Sequence, residues 1–137
     1  MTTISLTAAN IRPLTGAVIR RYVAGEALTV GQVVYVSAAE TVSIADGNVG
    51  AAEARAVGIV VESYDGETTI ASGDVASVVV FGPVSGFSSA TPGSYGYVSD
   101  TVGSLDTAAG TYSFIVGYFE SAGVFFVHPG IDDPTSA

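Results

Sequence analysis

The chain has 137 residues, no cysteine, no lysine and no tryptophan, and thirteen acids against four arginines give a net charge of −9. This excludes disulfides, thiolate chemistry and cysteine-based zinc sites, and a polyanion of this kind repels nucleic acid and anionic lipid at long range. The length suits one domain that buries a core without covalent staples. Only 12% of residues are charged while 48% are hydrophobic, so apolar surface left on a monomer points to an oligomer or a docked face.

From the N-terminus, residues 1–14 show no basic segment followed by an apolar one, so no secretory signal is expected. Ile4, Leu6, Ile11 and Leu14 fall on no periodic face, and the segment reads as an arm that pairs with something else. Beyond it, short β-branched and aromatic runs alternate with Gly, Pro, Asp and Ser, the pattern of strands and turns. Strands are expected at Ala17–Val23, Val33–Ser37, Ala56–Ser63, Val75–Phe81, Tyr95–Ser99, Tyr112–Glu120 and Val124–His128. Val49–Ala54 is the best helix candidate, yet it is too short to stand alone and reads better as a turn. Asp46-Gly47 and Asp65-Gly66 favour hairpin turns, and Pro92-Gly93 favours a turn of another type. The longest uncharged run, 75–99, is broken by prolines and glycines, so no membrane span is expected. The end of the chain, 131–137 with Asp132-Asp133-Pro134, reads as a polar tail.

An internal likeness runs through the body. Gly31-Gln32-Val33-Val34-Tyr35-Val36-Ser37 returns as Gly93-Ser94-Tyr95-Gly96-Tyr97-Val98-Ser99. Val57-Gly58 with Glu62-Ser63 is echoed by Val116-Gly117 with Glu120-Ser121. Each half closes on an apolar run ending at proline, Val78 to Pro83 and Val124 to Pro129. Two related strand sets would make one closed barrel or sandwich, because neither half has enough strands alone; chance agreement between Val- and Gly-rich strands stays open.

Catalytic chemistry finds few residues to carry it. The sole histidine, His128, stands at the end of an apolar strand, where ordinary hydrogen bonding accounts for it better than a catalytic triad. Without lysine, Walker-type phosphate binding and Schiff-base chemistry are both excluded. Asp46-Gly47-Asn48 begins like a calcium loop, but Gly50 and Val57 stand where oxygen ligands are required. A pair of carboxylates could in principle serve a glycosidase, yet the tyrosines and phenylalanines fall within strands, where core packing is their default. No metal, cofactor or enzymatic activity is expected. Arg20 and Arg21, adjacent on a strand, point to opposite faces; each is expected to meet a carboxylate within the protomer or across a subunit interface.

The segments Asn10 to Ala17, Gly31 to Val36, Ala54 to Ile59, Gly82 to Gly86, Pro92-Gly93, Tyr97 to Asp100 and Val116 to Tyr118 together resemble bacteriophage head decoration (capsid cement) proteins. The likeness runs from Asn10 to Pro129. It implies an all-β fold, a single β-barrel or β-sandwich over 15–130 with an extended N-terminal arm over 1–14, trimeric, on the outer capsid surface of a virion. The implied partners are the major capsid protein and two further copies of the chain, with no nucleic acid and no membrane. By the same resemblance the arm residues Thr2, Thr3, Ile4, Leu6, Ile11, Arg12 and Leu14 would contact the capsid, and Arg20 and Arg21 would lie at the subunit interface. A tail- or fibre-associated β module and a carbohydrate-binding surface domain are the alternatives.

Overall fold

The structure is a computed structural model that describes Thr3–Ile131; Thr2 of the expected arm and nearly all of the expected tail lie outside the described residues. The strands are β1 (Ser5–Leu6), β2 (Arg12–Pro13), β3 (Val18–Ala24), β4 (Leu28–Thr29), β5 (Val33–Ala38), β6 (Thr41–Ile44), β7 (Ala56–Ser63), β8 (Thr69–Ile70), β9 (Val75–Ser85), β10 (Phe87–Ser88), β11 (Tyr95–Val98), β12 (Leu105–Asp106), β13 (Ile115–Phe119) and β14 (Val124–Val127). One helical turn, α1 (Ala51–Ala54), precedes β7, where a turn was expected. Asp46-Gly47 leads into that turn rather than closing a hairpin; the β5–β6 hairpin turns instead at Glu40, with φ 52°.

Five strands close a barrel in the order β9–β3–β6–β5–β7, with β7 pairing back onto β9. β9 is the strand common to the whole molecule. Its first part, through Phe81, lies between β3 and β7, and its last part, Gly82–Ser85, lies between β2 and β14. The transfer occurs at Gly82, whose φ of 115° suits glycine alone and whose Cβ would stand 2.6 Å from the Ala17 Cα. Beyond it the second sheet runs β2–β9–β14–β13–β11–β12.

The internal likeness is structural. β5 pairs antiparallel with β7 and β11 with β13, and Val34 lies opposite Gly58 as Gly96 lies opposite Gly117. In both places the glycine lets the third strand close in: a Cβ on Gly58 would collide with the Val79 carbonyl oxygen, and one on Gly117 with that of Phe126. Glycine is the residue for such a backbone approach. A single hydrophobic core spans both halves, aliphatic around Val33, Val34, Ile59, Val60, Val78 and Val79, aromatic around Phe87, Phe119 and Phe125. β7 and the first part of β9 are buried on both faces, so their uninterrupted valine runs are expected of covered strands.

Candidate functional site

The N-terminal segment, expected to extend from the body, lies against it. Thr3 bridges Asp106, and the Ile4 N–H donates to the Leu105 carbonyl at 2.9 Å. β1 pairs with β10, β2 pairs with the end of β9, and the Leu14 N–H donates to the Pro83 carbonyl at 2.9 Å. Ile11 is 0% exposed and belongs to the core, and Ile4 and Leu6 are half-buried against it. Ile11 is therefore withdrawn from the capsid-contact set: reaching a partner would require pulling it out of the core. The physical reason is proximity, since an apolar segment tethered to open strand edges pairs with them at high effective concentration. Arg12 folds its guanidinium back onto the Ala9 and Ile11 carbonyls at 2.9 and 2.8 Å. Thr3, Arg12 and Leu14 remain exposed.

β3 carries the largest departure from an ordinary barrel strand. Val18 through Arg21 are all exposed, Val18 at 48% and Ile19 at 44%. β3 pairs with β9 along Val18–Val23, but on its other side it meets β6 only at Val23 and Ala24. The stretch Val18–Tyr22 is thus an open strand edge. Its alternate N–H and C=O groups point away from β9, and among the described residues no strand receives them. Arg20 and Arg21 lie in the middle of this edge, and neither forms an ion pair with a carboxylate among the described residues.

Apolar surface continues from this edge across the molecule. Phe81, 43% exposed, lies opposite Val18. Its ring meets Phe126 edge-on at 5.1 Å and His128 at 5.2 Å. Phe126 stacks on Tyr118 at 5.2 Å with 17° between the planes, and Tyr118 lies opposite Tyr95, which touches Tyr97. The expectation that strand aromatics pack in the core holds for Phe87, Phe119 and Phe125, which are buried, and for Tyr22 and Tyr35, which pack against the core, but not for this outer row. Adjacent Phe125 and Phe126 had to face opposite ways, a signal already present in the sequence. Tyr118 and Phe126 each cover one face of the other's ring.

Polar groups serve the loops. The Thr111 hydroxyl bridges Asp100 Oδ2 at 2.9 Å and Asn48 Oδ1 at 3.1 Å, while the Asn48 N–H donates to Asp46 Oδ1 at 2.9 Å, knitting two loops together. Asp106 is buried and accepts from the Ser99 hydroxyl at 3.0 Å and the Ala108 N–H at 3.2 Å. The Ser63 hydroxyl and the Glu67 N–H hold the Asp65 carboxyl below its ordinary range. Burial, then the charges of Glu53 and Glu26, push the Tyr35 phenol up. Two open cavities of about 410 and 420 Å³ flank the N-terminal segment, one beside Arg12, Val61 and Glu67, the other beside Leu6, Gly31 and Val102. Among the described residues no three His, Asp or Glu side chains converge as a metal site, and no helix is long and apolar enough to cross a membrane.

No family model matches the chain, and no curated protein matches it. The geometry is what bears on function.

Proposed function

We propose that the chain is a non-catalytic structural module of the head-decoration kind, which binds the outer capsid surface of a phage as a homotrimer and bridges neighbouring major capsid protein subunits. The observation that carries this reading is the run of exposed Val18, Ile19 and Phe81 that leads into the half-buried aromatic row of Phe126 and Tyr118. Monomeric soluble proteins rarely expose contiguous patches of this kind unless a partner covers them. The net charge of −9 favours the outside of a head over its DNA-filled interior. Many modest contacts repeated over a shell add up by multivalency, which suits a clamp rather than a catalyst. The N-terminal segment contributes Thr3, Arg12 and Leu14 to the outer surface.

The test is co-sedimentation of the purified protein with undecorated proheads and expanded heads of the source phage. Saturable binding to expanded heads, at one trimer per three-fold position, supports the proposal. Binding to neither form overturns it.

A further inference from the structure

We infer that the open edge of β3, residues Val18–Tyr22, is a strand-addition site for an extended segment of another protein that carries two adjacent carboxylates. The edge is long enough to receive a strand and, among the described residues, is paired on one side only. Main-chain hydrogen bonds would supply affinity without sequence requirement, as in other cases where a peptide extends a sheet. Specificity comes from the two arginines. Adjacent strand residues point to opposite faces, so Arg20 and Arg21 place one guanidinium above the sheet and one below it. A partner strand with two adjacent acids presents one carboxylate on each face at the same level, and both pairs form together. Arginine suits this role because its planar fork meets a carboxylate through two hydrogen bonds. Neither arginine is engaged by a carboxylate of its own chain among the described residues.

The same arginines disfavour the simplest rival, antiparallel pairing of β3 with β3 of another copy. Any register that overlaps the centres of the two strands sets arginine beside arginine, and like charges directly opposite are destabilising. Charged residues on an exposed edge are a common guard against self-pairing. Ile19 and Val18 supply apolar contact for whatever strand is admitted. The inference concerns the mode of docking and its partner's chemistry, and it stands or falls separately from the capsid reading.

The experiment uses the full chain, labelled for amide NMR, with two capped peptides as probes: Val-Thr-Glu-Glu-Thr-Val and the same peptide with two lysines in place of the glutamates. The expected result is shift and slowed exchange confined to alternate amides of Val18–Tyr22 and their neighbours. Affinity for the acidic peptide should exceed that for the basic one by at least about tenfold and fall as salt is added. The variant Arg20→Glu/Arg21→Glu changes only exposed side chains, and its preference should reverse. Several outcomes overturn the inference. They are no change at these amides, equal binding of both peptides, protection that appears without peptide as protein concentration rises, and protection without peptide that disappears in a chain ending at Ile131. The third would mean self-pairing of copies, and the fourth occupation by the chain's own Asp132-Asp133 segment.

Discussion

Gly58 and Gly117 hold equivalent places in the two strand sets, and each admits a neighbouring carbonyl where a methyl group would stand. Backbone on a paired strand cannot yield as a flexible side chain can. Gly58→Ala and Gly117→Ala should therefore each destabilise by about 3 kcal/mol or more, measured by chemical denaturation. Gly66, with open space around its Cβ, is the control for loss of a glycine without a collision, since its φ of 80° adds only local strain. At Asp65 the physics is electrostatic. Its carboxyl is held low by hydrogen bonds from Ser63 and Glu67, so the folded state favours the ionised form more than the unfolded chain does. That contribution is present above the ordinary carboxylate range and is lost as pH falls through the depressed folded value. Ser63→Ala removes the largest cause, and an NMR titration should show the Asp65 midpoint moving up towards the ordinary range.

Among the elements, the N-terminal segment and β3 behave in opposite ways. The N-terminal segment has the sequence of an arm and is built into the sheets, whereas β3 has the sequence of an ordinary barrel strand and is left partly open. Ile11→Ala empties a fully buried position and should cost about 2–5 kcal/mol, whereas Leu14→Ala, on the exposed end of the same segment, should stay within about 0.5 kcal/mol. Equal losses from the two variants in a denaturant titration would contradict the buried anchor. Hydrogen exchange separates the strands in the same way. Amides of β7 and the first part of β9, buried on both faces, should exchange only through global unfolding, while those of Val18–Tyr22 that face away from β9 should exchange quickly.

For the molecule as a whole, closure is the organising fact. β9 carries the chain from a closed barrel into another sheet without a break in the core, so the two related halves share one strand and should unfold as one unit. On the surface, exposed Val18, Ile19 and Phe81 run on into the half-buried row of Phe126, Tyr118 and Tyr95, with Arg20 and Arg21 at the β3 end. If that surface seats a partner, Ile19→Asp should weaken binding to expanded heads by about tenfold or more while leaving the thermal midpoint within a few degrees, as expected for an exposed position. Unchanged sedimentation with heads would remove β3 from the docking surface.

Much of this is legible in the residues themselves. The valine runs at 57–61 and 75–80 mark strands, and the repeated glycine-and-tyrosine pattern suggests two related strand sets, which the equivalent pairings of β5 with β7 and β11 with β13 then distinguish from chance. Adjacent Arg20 and Arg21 have to occupy opposite faces, because alternation is a property of the backbone and holds wherever a strand forms. The strand expected over Tyr112–Glu120 is shorter, since only Ile115–Phe119 finds a partner strand, and Thr41–Ile44 is a strand that its sequence does not announce, because four residues with two hydroxyls carry little apolar signal. What tertiary structure alone decided was which edges meet. Whether Ile11 faces a core or a partner, whether β3 is sealed by β6 along its length or at two residues, and whether Phe126 is covered all depend on pairings between segments distant in sequence. Their free energies are set by which other edges are free, and no local pattern of residues encodes that competition.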